Sequence, residues 1–137
     1  MYELAIHRDA KADLERLWES DKEAAAFVQV TLEEVGADQY YLASLSDDGF
    51  EDEKIEVTTY RWMQRRGFNF WRLKLFEFDL SSGPFPYRII YAFDGPKRIY
   101  YVLAIMHRDQ DYETDGDLST RLQKSYDELG IARIPRG

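Results

Sequence analysis

The chain has 137 residues and a formal net charge of −8, with 45% hydrophobic and 15% aromatic residues. This composition excludes a disordered chain and suffices for one folded domain, which we expect to span residues 1–137. The lack of cysteine excludes disulfides and thiolate metal sites and suits a reducing cytoplasm. The two histidines, His7 and His107, are not in a metal-binding spacing, so we expect no metal and no cofactor.

The start of the chain predicts a strand followed by two helices. Apolar and polar residues alternate at about residues 2–7, which is typical of a strand. Apolar residues then recur at helical spacing near residues 10–19 and 21–35. The first residues, "MYELAIHRDAK", lack the basic and apolar regions of a signal peptide, and no apolar run has the length of a membrane span. We therefore expect a cytoplasmic protein without a membrane partner.

The ends of these two helices also have sequence signals. Asp9 is the predicted N-cap of the first helix. Ser20 and Glu23 have the spacing of a capping box for the second, and Gly36 can end it in a left-handed conformation.

The second half of the chain predicts a sheet. Residues 38–53 have little pattern and include an acidic loop, whereas "KIEVTTYRW" favours an extended conformation. Alternation predicts strands at about residues 69–79, 87–93 and 98–106, with "DGPK" as the turn between the last two. A last amphipathic helix follows in "LSTRLQKSYDELG". The order indicates an α+β domain: a β-α-α opening, an antiparallel meander sheet of three to five strands, and a C-terminal helix.

Charge is distributed unevenly along the chain. Residues 60–108 carry nine Lys and Arg against three acidic residues, a net charge of +6, so the remainder carries −14. The acidic average argues against general binding of nucleic acid, but the basic segment can form a local cationic surface.

Cationic side chains gather on three of the predicted strands. Arg88 begins one strand and Arg108 follows the end of the next, so an antiparallel hairpin is expected to place them opposite each other. Arg72 and Lys74 share a face of the preceding strand, and Tyr112 follows on a loop. Such a cluster can bind a phosphodiester and stabilise its charged transition state, while a phenol can transfer protons. The chemistry indicated is attack of an RNA 2′-hydroxyl on its own phosphate.

Ordinary ion pairs explain the same residues without any chemistry. Arg88 can pair with Glu77 or Asp79 across the sheet, and Arg108 with the carboxylates that follow it directly. His107 can donate to a substrate phosphate or have a structural role at the strand end. Composition and pattern leave these alternatives open.

The run "PYRIIYAFDGPKRIYYVLAIMHRDQDYET" combines a Tyr-Arg strand start, a hairpin, an apolar strand that ends in a basic pair, and a tyrosine shortly after. Together with "ELAIHRDAKADLERL" near the start, it resembles the RelE/ParE superfamily of type II toxin–antitoxin toxins, particularly the RelE and HigB branch. The resemblance implies a RelE-like fold in which residues 38–68 are an insertion.

The resemblance further implies a ribosome-dependent mRNA endoribonuclease that inhibits translation. Its partners would be a cognate antitoxin, the ribosome and mRNA, with no direct contact to DNA. Arg88 matches the arginine that contacts the scissile phosphate, Arg108 the arginine that stabilises the transition state, and Tyr112 the general acid–base tyrosine. Arg72 and Lys74 approximate the basic pair that binds the substrate.

Two departures leave alternatives open. RelE-type toxins are usually basic, whereas this chain is acidic. Glu77 and Asp79 also stand where the resemblance leads us to expect further cations. The alternatives are a degenerate, non-catalytic RelE-like binding domain of phage or orphan origin, and a ParE-like toxin that acts on a protein target, gyrase.

Overall fold

The computed structural model describes residues 1–76, 85–110 and 116–134. The strands in these ranges are β1 (Glu3–Ile6), β2 (Ile55–Thr59), β3 (Phe70–Leu75), β4 (Tyr87–Asp94) and β5 (Ile99–His107). The helices are α1 (Arg8–Ser20), α2 (Lys22–Gly36), α3 (Gln39–Ser44), α4 (Arg61–Gln64) and α5 (Gly116–Glu128). None of these helices has both the length and the apolar character that crossing a bilayer requires.

The strands form one open sheet in the order β1-β5-β4-β3-β2. β1 is parallel to β5, and the other three pairs are antiparallel. The predicted α+β class, with its β-α-α opening, mainly antiparallel sheet and C-terminal helix, is confirmed. The strand predicted at 69–79 is observed as β3, and residues 77–79 of that prediction lie outside the described ranges. Within the segment 38–68, which we interpreted as an insertion, β2 pairs with β3 and forms an edge of the sheet.

Both faces of the sheet are covered, because residues alternate between two apolar clusters along the strands. Helices α1, α2 and α3 pack on one face, against a set of buried strand residues that includes Leu73, Ile89, Tyr91, Tyr100 and Val102. Helix α5 and the segment around α4 pack on the other face, against Phe70, Ile90, Ala92, Ala104 and Met106. The sheet is therefore the middle layer of three.

The helix N-caps lie two residues and one residue from those predicted. The N-cap of α1 is His7 rather than Asp9, because Nδ1 of His7 accepts a hydrogen bond from the amide of Asp9. The N-cap of α2 is Asp21 rather than Ser20. Gly36 is the last residue of α2 and does not have a positive φ. Neighbouring polar residues can serve equally well as caps, so local sequence does not decide between them.

Asp13 and Arg121 join α1 to α5 beside the part of β5 that extends past β1. β1 pairs with Ile99–Val102, and no other strand of the described ranges continues beside β5 on this side. There Asp13 accepts a hydrogen bond from the amide of Ile105 at 3.0 Å, and Arg121 donates to the carbonyl of Leu103 at 2.9 Å. The two side chains also form a bidentate ion pair at 3.2 and 2.9 Å, with the Asp13 side chain only 9% exposed. They supply hydrogen bonds that another strand would otherwise make.

A second set of polar contacts fixes the start of β2. The carboxylate of Asp52 accepts hydrogen bonds from the amides of Lys54 and Ile55, at 2.8 and 3.0 Å, and from the hydroxyl of Tyr41 at 2.6 Å. Burial alone would raise the pKa of Asp52, but these hydrogen bonds and the nearby Lys54 charge lower it below its usual value. The same hydrogen bond, with burial and the negative charge of Asp52, raises the pKa of Tyr41 to about 12. The contacts tie the segment after α2 to the edge strand.

Asp13→Asn should lower the free energy of unfolding by about 2–4 kcal/mol, because it leaves the Arg121 guanidinium without its counter-charge in a partly buried position. Asp127→Asn is the matched control, since the Asp127–Arg133 pair is about half exposed and should contribute less than about 1 kcal/mol. Urea unfolding followed by circular dichroism measures both values. Equal losses in the two variants would show that the Asp13 pair is no stronger than an exposed one.

Asp52→Asn should destabilise the protein by about 1–3 kcal/mol at neutral pH, the range for hydrogen bonds to a charged group. Because folding lowers the pKa of Asp52, its contribution is present above the unfolded pKa and is lost as the pH falls through the folded value. The gap between wild type and Asp52→Asn should therefore shrink between pH 7 and pH 3 in urea titrations. Asp47→Asn, a change at an exposed position of the same segment, serves as the control. A gap that stays constant with pH would contradict this role of Asp52.

Candidate functional site

The cationic residues of β3 lie on one face because the strand alternates strictly. Trp71, Leu73 and Leu75 are buried beneath the α1–α3 layer. Arg72 and Lys74 point to the opposite face and are partly exposed. Since successive side chains of a strand alternate, burial of the three apolar residues fixes the direction of the two cations.

Strand pairing aligns these cations with polar residues of the neighbouring strands. Lys74 pairs with Glu56 of β2 on one side and with Arg88 of β4 on the other. On the same face, two residues further along the strands, Arg72 of β3 pairs with Thr58 of β2. Directly paired side chains in neighbouring antiparallel strands are close enough to interact.

These five residues line a single groove of about 160 Å³ on the face that also carries α5. The ammonium of Lys74 lies 3.5 Å from Oε1 of Glu56, and their side chains are 42% and 27% exposed. Three cations and one carboxylate give the groove a net positive charge. Of the four cations expected to converge on one surface, Arg72, Lys74 and Arg88 line this groove, whereas Arg108 is not among its lining residues. The roles of all four stay predictions.

Part of the acidic charge lies on the other side of the sheet. Helices α1 and α2 pack on the face opposite to the groove and carry seven acidic and four basic residues. The acidic segment before β2 is not separated in this way, because Glu51 pairs with Glu56 of β2.

Arg108 lies close to Arg88 along the backbone but not directly opposite it. Arg88 pairs with Met106, whereas the amide of Arg108 donates to the carbonyl of Pro86 at 2.7 Å. The expected pairing of the two arginines is thus wrong by two residues. The turn sets Asp94 opposite Ile99, and even with the one-residue bulge at Leu103 this register brings Met106 opposite Arg88. Nε of Arg108 is 3.9 Å from a carboxylate oxygen of Asp109, which agrees with the ion pair considered from the sequence.

His107 is directed away from the groove. It pairs with Tyr87, and the two rings meet edge to face with centroids 5.4 Å apart. Tyr87 packs against the cluster beneath α1–α3, on the face opposite to that of Arg88. Nδ1 of His107 accepts a hydrogen bond from the amide of Asp109 at 3.2 Å, which favours the structural interpretation. Its predicted contact with substrate gains no support from this position.

Three residues of the sequence argument lie outside the described ranges. They are Tyr112, the predicted general acid–base residue, and Glu77 and Asp79, the carboxylates considered as partners of Arg88.

Sequence reasoning did not identify Glu56 and Thr58 as part of the site. The signal was present, because "IEVTT" alternates between buried Ile55 and Val57 and the partly exposed Glu56 and Thr58. The alternation predicts that Glu56 and Thr58 share a face, but not which strand lies beside them. The pairing of β2 with β3 supplies that information.

The groove is suited to bind an anion with several oxygen atoms. Guanidinium groups donate two parallel hydrogen bonds to a phosphate, and an ammonium adds a compact charge. Within the described part of the chain, no group of three His, Asp or Glu is arranged to hold a metal ion. The chemistry that these residues can supply is electrostatic stabilisation of a phosphodiester, with a carboxylate and a hydroxyl beside it.

Comparison with known protein families identifies the family of the chain. A family model described as the ParE toxin of a type II toxin–antitoxin system, parDE, matches residues 4–112. Comparisons with curated proteins and with solved structures gave no significant match. The predicted RelE/ParE superfamily is confirmed, and the narrower RelE and HigB branch stays a prediction. Since the match extends from β1 to beyond β5, the chain belongs to the ParE toxin family of type II toxin–antitoxin systems, whose toxins have a cognate antitoxin as partner.

Proposed function

We propose that this toxin is a ribosome-dependent mRNA endoribonuclease. The observation that supports the proposal is the groove in which Arg72, Lys74 and Arg88 converge beside Glu56 and Thr58. In the proposed reaction the 2′-hydroxyl attacks the adjacent phosphorus, and the bond to the 5′-oxygen breaks. The products are a 2′,3′-cyclic phosphate and a 5′-hydroxyl end. The cations of the groove stabilise the additional negative charge that develops on the phosphate oxygens.

The proposed dependence on the ribosome concerns the orientation of the RNA, which the described residues of the groove do not fix. Its five residues provide charge, and its volume of about 160 Å³ is small compared with that of an RNA strand. Cleavage of this kind requires the 2′-oxygen, the phosphorus and the 5′-oxygen to be in line. A ribosome that holds the mRNA in that arrangement would supply much of the rate enhancement by orientation.

A second candidate function is inhibition of a protein target, gyrase. Membership of the ParE family favours it, and so does the net charge of −8, which weakens attraction to ribosomal RNA. In this case the groove cations would contact acidic side chains of the target. The two functions make opposite predictions for RNA cleavage.

The cleavage proposal predicts large losses from single substitutions in the cationic cluster. Arg88→Ala and Arg108→Ala should each lower the cleavage rate about 10²–10³-fold, because each removes a stabilising positive charge. Arg88→Lys should also lower it, since an ammonium cannot reproduce the two-pronged contact of a guanidinium. Tyr112→Phe should lower it about 10²–10⁴-fold if the phenol transfers a proton.

Primer extension on a translated message, after induction of each variant, measures these rates. Lys97→Ala is the matched control, because Lys97 is an exposed cation in the turn at the other end of β4. Cleavage that is unchanged in Arg88→Ala and Arg108→Ala would refute the assigned site.

The gyrase candidate predicts that the purified toxin inhibits DNA supercoiling by gyrase and leaves translated mRNA intact. We expect the reverse result, namely mRNA cleavage without inhibition of supercoiling. Inhibition of supercoiling without cleavage would replace the proposed function by the second one. A chain that neither cleaves mRNA nor arrests growth would instead be the degenerate binding domain.

A further inference from the structure

Glu56 is the one carboxylate among the five residues that line the cationic groove. We propose that it is the general base that removes the proton from the attacking 2′-hydroxyl. The inference rests on the proposed mRNA cleavage and assigns a catalytic role to β2, the edge strand next to β3.

The position of Glu56 suits this role because it lies in one row with the phosphate-binding cations. The row runs from Glu56 of β2 through Lys74 of β3 to Arg88 of β4. Neighbouring strands are about 4.8 Å apart, so the ends of the row are separated by roughly two strand spacings. A phosphate bound between Lys74 and Arg88 would therefore have its ribose within reach of the Glu56 carboxylate.

The local contacts leave Glu56 able to accept a proton. Its side chain is 27% exposed, and its ion pair with Lys74 is 3.5 Å long. That distance is longer than a strong charge-assisted hydrogen bond, so a substrate hydroxyl can compete for the carboxylate oxygens. Among the described residues, Arg72, Lys74 and Arg88 are the charged groups that line the groove with it. Glu51, in the segment before β2, pairs with Glu56 along the backbone.

The ion pair with Lys74 does not by itself explain why a carboxylate lies in a cationic groove. A partly exposed pair such as Glu56–Lys74 contributes about 0–1 kcal/mol to stability. In a groove that binds phosphate, a negative charge also weakens substrate binding by repulsion. Proton transfer gives the carboxylate a function that offsets this repulsion.

The reaction balances with the groups named. Glu56 takes the proton of the 2′-hydroxyl as the bond between the 2′-oxygen and phosphorus forms. The bond from phosphorus to the 5′-oxygen breaks, and the leaving oxygen takes a proton from water. Glu56 then releases its proton to solvent, which restores the carboxylate.

The first test compares Glu56→Gln and Glu56→Asp in single-turnover cleavage of an mRNA held on purified ribosomes. Glu56→Gln should lower the rate constant about 10²–10⁴-fold, as loss of a general base does. The toxin concentration that gives half the maximal rate should stay the same or fall, because a repulsive charge has been removed. Glu56→Asp should recover part of the rate. Glu53→Gln, at an exposed position of the same segment, is the matched control and should cleave as wild type does.

A modified message separates the role of a base from that of an acid. Replacing the 5′-bridging oxygen at the cleavage site by sulfur gives a leaving group that needs no proton. The loss in Glu56→Gln should persist on this message, because the 2′-hydroxyl must still be deprotonated. Recovery of the rate would show that Glu56 acts on the leaving group and would overturn the proposal.

The same experiments distinguish failure of this inference from failure of the proposed function. If wild type does not cleave the message, the proposed function itself fails. If wild type cleaves and Glu56→Gln cleaves at the same rate, only the role of Glu56 is refuted. The rate loss in Glu56→Gln could also come with a free energy of unfolding below that of Glu53→Gln, or with weaker binding to the ribosome. Either result would assign Glu56 a structural role instead.

Discussion

The candidate site depends on the pairing register of β2, β3 and β4. In the observed register Glu56, Lys74 and Arg88 form one row, and Thr58 and Arg72 lie in the next. A shift of one residue would move the cations of β3 to the face beneath α1–α3 and bring its apolar residues to the groove. Burial of the apolar residues of β3 therefore fixes the register. A change of register would alter the core and the site together.

The acidic charge of the chain does not prevent an anion-binding groove, because charge acts locally. Salt screens interactions between exposed charges beyond about 8–10 Å, so groups that touch a ligand outweigh distant ones. Here three cations line the groove, while the acidic helices α1 and α2 cover the opposite face. The net charge of −8 affects the approach to a large polyanion more than contacts within the groove.

Sequence periodicity predicted most of the fold, because burial of one face leaves a direct signal. The α1–α2 pair, the four strands β1, β3, β4 and β5, and the C-terminal helix were predicted close to their observed positions. The helix caps were misplaced, since Asp9 and Ser20 each have a polar neighbour, His7 and Asp21, that serves as cap instead. In the site, Arg72 and Lys74 were predictable from alternation within β3. Glu56 was not, because its place beside Lys74 depends on pairing between strands, which no local pattern determines.

The anchoring of β2 connects the stability of the protein with the geometry of its groove. Asp52 holds the amides of Lys54 and Ile55, the two residues that precede Glu56, and Tyr41 binds the same carboxylate from the segment after α2. On the side away from β3, β2 is held by the segment before it, since the amide of Gly49 donates to the carbonyl of Val57 and the amide of Val57 donates to the carbonyl of Phe50. Its position therefore depends on this segment as well as on β3. A small displacement of β2 would change the distance from Glu56 to Lys74 while leaving the pairing of β3 with β4 intact. A displacement of β2 would therefore alter the proposed proton transfer without altering the cations proposed to bind phosphate.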